Sequence, residues 1–106
     1  ITSVNICEKF KDKALEVNYK SVVKLLFLLE SAEMDNFNYF LSISTSHVFK
    51  KTNLKLKENS LKKPINYYGF TKLCLEKFIL KNKKQFRYKI GINRIFNYYN
   101  IISTFC

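Results

Sequence analysis

Apolar residues recur at helical spacing in the first third of the chain, from Phe10 to about Met34. They stand three or four residues apart, as on one face of an α-helix, and comprise Ala14, Val17 or Asn18, Val22, Leu25, Leu26 and Leu29. The second half of this stretch, KLLFLLESAEM, consists mainly of good helix formers without Pro or Gly. We therefore predict one helix over residues 10–34, which ends at a turn at Asp35-Asn36.

A short segment rich in aromatic and β-branched residues follows at residues 38–44, with the sequence NYFLSIS. It is too short for a helix that stands alone, and its composition predicts a buried strand. Residues 45–63 are polar and charged without a steady period. They predict a long surface loop, and loops of that length inside a compact domain are usually functional or mobile.

Helical spacing returns after Pro64 and predicts a second helix from Asn66 to about Gln85. Its apolar stripe runs through or beside Phe70, Leu73, Cys74 and Ile79. A second strand is predicted at residues 88–96, YKIGINRIF, where apolar residues alternate from Tyr88 onward.

The order helix, strand, loop, helix, strand predicts the α/β fold class with two parallel strands. Residues 38–96 would form a right-handed crossover between these strands. Two helices cannot cover both faces of a parallel sheet, which is normally buried on both sides. We therefore expect that further strands complete this sheet.

Length and composition indicate how large this unit is and whether a membrane span or a signal peptide is expected. The chain has 106 residues, of which 47% are hydrophobic and 16% aromatic, enough for one small domain with a core. The most apolar stretch, residues 22–32, is interrupted by Lys24 and Glu30, so no membrane partner is expected. No basic segment followed by an apolar one marks a signal peptide at the start.

The cysteines favour a reducing compartment. There are three of them, Cys7, Cys74 and Cys106. They form no Cys-x-x-Cys pair and no ligand cluster with histidine. We therefore expect neither a metal site nor a disulfide framework, and a cytoplasmic location.

The net charge of +11 raises the hypothesis of nucleic-acid binding, since basic patches bind phosphate groups. Nearly all of the positive charge is lysine, and only Arg87 and Arg94 can offer a bidentate fork. The chain is also rich in Lys, Asn, Ile, Phe and Tyr together, which an AT-rich coding sequence produces without selection for binding. We read the lysines mainly as solvated surface. A small basic nucleic-acid-binding module, or a non-catalytic interaction module, is the alternative function.

Tyr68 and Lys72 form the first candidate for chemistry. With seven tyrosines in a lysine-rich chain of 106 residues, chance alone gives about one Tyr-x-x-x-Lys, so the spacing by itself has little weight. At positions i and i+4 of a helix the two side chains share one face. An adjacent ammonium group stabilises a phenolate, and we expect it to lower the pKa of Tyr68 into a range useful for acid–base catalysis.

Two further polar segments are predicted at the same edge of the sheet. The first strand ends in the hydroxyl cluster Ser44, Thr45 and Ser46, and the second ends in residues 93–97, NRIFN. Open α/β sheets bind their ligands at the carboxyl ends of parallel strands. The convergence of hydroxyl groups, the Tyr/Lys pair and residues 94–97 predicts a site there.

These segments together resemble the extended short-chain dehydrogenase/reductase family, the NAD-dependent sugar-nucleotide epimerases, dehydratases and reductases. EVNYKSVVKLLFLLESA is similar to the family's N-V-x-G-T-x-N-L-L-E-A-A helix, and NYFLSISTSHVF to its strand ending in S-S/T-x-x-V-Y/F. PINYYGFTKLCLEKFI resembles P-x-S-P-Y-G-x-S/T-K-x-x-x-E, and INRIFNYYN resembles L-R-x-F-N-x-Y-G. The resemblance runs over roughly residues 14–100 in the family's order, with YGFTK and RIFN its most specific parts.

The resemblance implies a partial Rossmann-like, doubly wound unit that uses NAD or NADP and a nucleotide-sugar substrate. It implies that Thr45, Tyr68 and Lys72 are catalytic, with Tyr68 as the acid/base and Lys72 holding the nicotinamide ribose. Phe96 would join Tyr68 and Lys72 in contacting the cofactor. Ser46 and Asn97 would join Thr45 in contacting the substrate. The family also implies a homodimer for a full-length member.

Departures from the family pattern narrow the predicted activity and the part of the family's domain that this chain represents. Ser46 and His47 stand where the dehydratases carry Asp-Glu, so we do not expect a dTDP-glucose-type dehydratase. No G-x-x-G-x-x-G occurs, and the chain has only two glycines, although that loop carries the cofactor's pyrophosphate. We therefore interpret residues 1–106 as part of an NAD(P)-binding domain, without its glycine-rich start and without a C-terminal substrate domain. We expect this part to be inactive alone.

Overall fold

A computed structural model describes residues 1–32, 36–50 and 61–95 of the chain. Helical structure occupies most of the first 31 residues, as α1 (Val4–Lys9), α2 (Lys11–Leu15), a π-helical turn (Glu16–Lys20) and α3 (Ser21–Ser31). The predicted first helix is therefore present from residue 11 to residue 31, with one widened turn. Its predicted end at Met34 lies outside the described residues.

The short helix α1 was not predicted, because its apolar residues do not extend the stripe of the longer helix. Ser3 caps it, since the Ser3 hydroxyl accepts a hydrogen bond from the Ile6 amide. Cys7 is its buried residue.

The second helix and both strands lie close to their predicted positions. Strand β1 spans Tyr39–Thr45 and is followed by a 3₁₀ turn at Ser46–Val48. Helix α4 spans Tyr67–Asn82 and ends in a second 3₁₀ turn at Lys83–Gln85. Strand β2 spans Lys89–Ile95. Of the loop predicted at residues 45–63, residues 51–60 lie outside the described part.

Strands β1 and β2 pair in parallel, as predicted for a strand–helix–strand unit. Tyr39 lies opposite Lys89, and the register continues to Thr45 opposite Ile95. The carboxyl ends of both strands therefore lie side by side. This alignment confirms the prediction that both strands end at one edge of the sheet.

The core lies on one face of this sheet, between the strands and the helices. Its buried members are Leu26 from α3, Leu75 and Ile79 from α4, and Phe86 and Tyr88 before β2. The Tyr88 hydroxyl, which would be costly to bury without a partner, donates a hydrogen bond of 2.5 Å to the Leu26 carbonyl. α3, α4 and β2 are thus joined in one apolar cluster.

The prediction that β1 is buried was wrong for one of its two faces. Tyr39, Leu41 and Ile43 are 53, 47 and 43% exposed, whereas Ser42 and Ser44 are buried. Side chains alternate along a strand, and α4 covers only the face that carries the serines. Phe70, expected on the apolar stripe of the second helix, is likewise exposed at 43%.

No helix in the described ranges has the length and apolar character needed to cross a membrane.

Candidate functional site

The candidate site lies where β1 ends and α4 begins. Asn66 caps α4, because its side-chain oxygen accepts a hydrogen bond of 2.8 Å from the Gly69 amide. This cap fixes where the helix starts, one residue before Tyr67, and so fixes the direction in which the following side chains point. Tyr68 then lies in the first turn of α4, beside the end of β1.

Thr45 and Tyr68, which sequence reasoning assigned to one site, are in contact. The Thr45 side chain lies close enough to the Tyr68 hydroxyl for hydrogen bonding to act on the pKa of the phenol, in the lowering direction. The Thr45 hydroxyl also accepts a hydrogen bond of 3.2 Å from the His47 amide. A hydroxyl can accept one hydrogen bond and donate another, so this arrangement leaves the Thr45 proton available to the Tyr68 oxygen.

His47 is part of this site, although we predicted no role for it from the sequence. Its ring lies edge-on to the ring of Tyr68, with the centroids 5.8 Å apart. The Asn66 side-chain nitrogen lies 2.8 Å from His47 Nδ1. Because the Asn66 oxygen is already used by the Gly69 amide, its NH₂ group faces the ring. Nδ1 is then the acceptor, and the proton of the neutral ring lies on Nε2.

Gly69 is needed for the close approach of α4 to the segment after β1. A Cβ atom at this position would lie 2.8 Å from the backbone carbonyl carbon of His47, and closer still to its oxygen. That same carbonyl accepts a hydrogen bond of 3.2 Å from the Ile65 amide. The chain therefore has no room for any other residue at position 69 unless the turn at Ser46–Val48 moves away.

The pKa of Tyr68 differs from the prediction. Burial raises the pKa of the phenol, while the hydrogen bond with Thr45 acts in the opposite direction. The expectation of a lowered pKa for Tyr68 was wrong, because the loss of hydration on burial outweighs the effect of Thr45.

Lys72 lies one turn after Tyr68 on α4 and is half-buried. Burial lowers the pKa of its ammonium group, and the carboxylate of Glu76, one turn further along, acts in the opposite direction. Tyr68, Lys72 and Glu76 are spaced by four residues, so they follow one another along one face of α4.

Sequence reasoning missed a cluster of buried polar groups behind Tyr68 and Lys72. We call Ser44, Glu76 and Arg94 the ion-pair cluster. Glu76 is 1% exposed and receives hydrogen bonds of 2.5 Å from the Ser44 hydroxyl and 2.7 Å from Arg94 Nη2. Arg94 Nε adds contacts of 3.1 Å to both carboxylate oxygens. The available signal was the Glu that ends PINYYGFTKLCLE, four residues after Lys72.

A second polar contact supports α4 from the side of the first helices. The buried amide of Asn18 donates a hydrogen bond of 3.2 Å to the Thr71 hydroxyl. Thr71 in turn donates to the Tyr68 carbonyl at 2.7 Å. Asn18 lies in the π-helical turn, so this widened turn is where the first helices make a polar contact with the start of α4.

The remaining predicted site residues are placed as follows. Ser46 is half-buried and follows Thr45 at the end of β1; its contact with the substrate stays a prediction. Phe96 and Asn97 lie outside the described residues. Among the residues that are described, no group of His, Cys, Asp and Glu could hold a metal ion.

Solved structures of similar fold include RMD from Pseudomonas aeruginosa complexed with NADPH. It is 24% identical to this chain, with a TM-score of 0.83, and the match covers 92% of this chain and 34% of that one. A hypothetical dTDP-4-dehydrorhamnose reductase from Sulfolobus tokodaii is 31% identical with a TM-score of 0.72, over 91% of this chain and 32% of the other. The chain thus spans about a third of the length of either structure. The likeness confirms the α/β, partial Rossmann-like fold.

A search of curated proteins gives no match. The family model of the RmlD substrate binding domain matches residues 1–97, which is almost the whole chain. This match agrees with the resemblance to the extended short-chain dehydrogenases/reductases, which was based on the motifs around Thr45, Tyr68 and Lys72. The chain belongs to the RmlD substrate binding domain family.

Proposed function

We propose that this chain carries the proton-transfer site of an NADPH-dependent reductase of nucleotide-linked keto sugars. The observation that carries the proposal is that His47 brings Thr45 and Tyr68 together at the carboxyl end of β1: its amide donates to the Thr45 hydroxyl at 3.2 Å, and its ring lies edge-on to the Tyr68 ring. The family match over residues 1–97 and the two structures of similar fold support the substrate class and the cofactor.

Tyr68 is the proton donor in this proposal. When bound, NADPH supplies a hydride to the carbonyl carbon of the sugar. Tyr68 gives its phenolic proton to the carbonyl oxygen, so that an alcohol forms, and is reprotonated from solvent afterwards. The unperturbed pKa of a tyrosine is about 10 and burial raises that of Tyr68, so the phenol carries its proton at neutral pH before the reaction. The Thr45 hydroxyl stabilises the phenolate that is left.

Lys72 holds the ribose of the cofactor beside Tyr68. A lysine ammonium group has three donors, and a half-buried one on the same helix face as Tyr68 suits a ligand rich in hydroxyl groups. The residues present therefore fit the nicotinamide end of the cofactor. Phe96 beside the nicotinamide, and Ser46 and Asn97 beside the substrate, stay predictions, as does the homodimer.

The pyrophosphate end of the cofactor has no matching loop in this chain. With two glycines, of which Gly69 lies in α4 and Gly91 in β2, no glycine-rich turn can present backbone amides to phosphate. We therefore propose that the chain alone binds NADPH weakly and does not turn over. Saturable quenching of NADPH fluorescence at micromolar cofactor by the purified chain would contradict this part.

A segment exchange tests the function itself. Residues 1–97 would replace the matching segment of the Sulfolobus tokodaii reductase, and the hybrid would be assayed for loss of NADPH absorbance with dTDP-4-dehydrorhamnose. We expect turnover that falls by about 10²-fold or more in Tyr68→Phe, the range that general acid catalysis contributes. Tyr67→Phe is the matched control, because it removes a neighbouring hydroxyl on the same helix. A folded hybrid that binds NADPH but shows no turnover would contradict the proposal.

The described residues add no observation in favour of nucleic-acid binding. Arg94 pairs with Glu76, and Arg87 binds Glu30 through its guanidinium and its amide. Both groups able to make a bidentate contact with phosphate are thus engaged within the chain.

A further inference from the structure

The ion-pair cluster touches every element that forms the candidate site. Ser44 directly precedes Thr45 on β1, and Glu76 lies on the α4 face that also carries Tyr68 and Lys72. Arg94 lies on β2, one residue before Ile95, the partner of Thr45 in the sheet. One carboxylate therefore binds α4 to both strands at the level of the site.

The cluster also reaches the turn after β1. The Arg94 guanidinium lies over the ring of Phe49, 5.1 Å from its centroid, and Phe49 is 3% exposed. Phe49 ends the short turn that contains His47. The turn contacts the cluster through Phe49, and α4 belongs to it through Glu76. The turn and α4 also contact each other directly, through Asn66 and His47.

We infer that the ion-pair cluster positions Thr45 against Tyr68, and that Glu76 is the residue on which this positioning depends. Apolar packing is not directional, so it constrains the position of α4 along the sheet less than hydrogen bonds to a buried carboxylate do. A buried carboxylate with donors from both strands accepts only one placement of the helix, since any slide leaves a buried charge unpaired. The positioning role itself is structural. Its importance for catalysis rests on the proposed function, in which Thr45 and Tyr68 act together.

His47 provides the readout, because it is the only histidine in the chain and its ring signals in an NMR spectrum are unique. The nearby Tyr68 ring shifts these signals through its ring current, and Tyr68→Leu shows where they lie without it. In Ser44→Ala, which removes only the β1 donor, we expect the His47 signals to move from the wild-type position toward the Tyr68→Leu position. Glu76→Gln should move them in the same direction.

Tyr88→Phe is the control, since it also removes one buried hydroxyl donor with a 2.5 Å hydrogen bond but lies away from the site. Its His47 signals should stay at the wild-type position. The inference is overturned if Ser44→Ala folds and leaves the His47 signals unmoved, or if Tyr88→Phe moves them as much. Should Glu76→Gln fail to fold, Ser44→Ala decides alone. The measurement needs no substrate, so failure of the positioning role is distinguishable from failure of the proposed function.

Discussion

The two glycines of the chain give a sharp test of the site's geometry, because their surroundings differ. A Cβ at position 69 meets the backbone carbonyl of His47, 2.8 Å from its carbon. An ordinary contact of about 3.5 Å would require α4 and the turn to separate by roughly 1 Å. At position 91 the added Cβ meets the hydroxyl of Tyr39, the far end of a side chain that is 53% exposed and can turn away.

Two opposing effects decide the stability of Gly69→Ala. Alanine favours a helix over glycine by about 1 kcal/mol. Forcing an extra carbon against backbone costs about 1–3 kcal/mol, and displacing the His47 carbonyl also endangers its hydrogen bond from Ile65, worth about 0.5–1.5 kcal/mol. The clash therefore outweighs the helix propensity. We expect Gly69→Ala to lower the free energy of unfolding by about 1–3 kcal/mol, and Gly91→Ala to change it by less than about 1 kcal/mol.

Urea denaturation, monitored by circular dichroism, measures the free energy of unfolding of both variants. The His47 NMR signals show whether the turn at Ser46–Val48 has moved. Displacement of reacting groups by 1 Å can reduce a rate by about 10²-fold, so Gly69→Ala should also reduce turnover of the segment-exchange hybrid. A Gly69→Ala variant as stable as the wild type, with unmoved His47 signals, would refute the close approach of α4 to His47.

Three further predictions follow from individual contacts. Asn66→Ala removes the cap of α4 and the partner of His47 Nδ1, and we expect a loss of about 1–2 kcal/mol in urea denaturation, which Asn66→Asp should largely avoid because it keeps the cap. Tyr88→Phe should cost about 1 kcal/mol at neutral pH. Burial raises the pKa of Tyr88, so its contribution is complete below the unfolded pKa of about 10 and disappears as the pH rises through the folded pKa. The difference between wild type and Tyr88→Phe should therefore shrink in denaturation curves above about pH 10; a constant difference would contradict a raised pKa. Cys7 is fully buried with a raised pKa, so in the folded chain it should react with a thiol reagent much more slowly than after unfolding in urea, which mass spectrometry of labelled peptides can follow.

The sequence predicted the elements of this fold well where the hydrophobic period was long. The helix expected from Asn66 to Gln85 is present as α4 with its terminal 3₁₀ turn, and both strands lie within one residue of their expected starts. Their parallel pairing followed from the helix between them. The contact of Thr45 with Tyr68 followed because the end of a strand and the start of the next helix adjoin in such a unit.

The features that the sequence did not predict depend on contacts between distant segments. Whether β1 is buried on one face or on both depends on which elements pack against it. An aromatic, β-branched segment is typical of both situations, so the sequence does not distinguish them. The pKa of Tyr68 is raised because the side chain is buried, and the spacing of Tyr68 and Lys72 in the sequence does not indicate that burial. The burial of Glu76 depends on Ser44 and Arg94, which come from the two strands and donate hydrogen bonds to its carboxylate.

We propose that Tyr68, beside Thr45, is the proton donor of a sugar-nucleotide reductase. The most direct measurement compares the turnover of the segment-exchange hybrid, with NADPH and dTDP-4-dehydrorhamnose, between Tyr68→Phe and Tyr67→Phe. We expect turnover about 10²-fold or more below that of the unmodified hybrid for Tyr68→Phe and close to it for Tyr67→Phe. Equal turnover of the two variants, in hybrids that fold and bind NADPH alike, would contradict the claim.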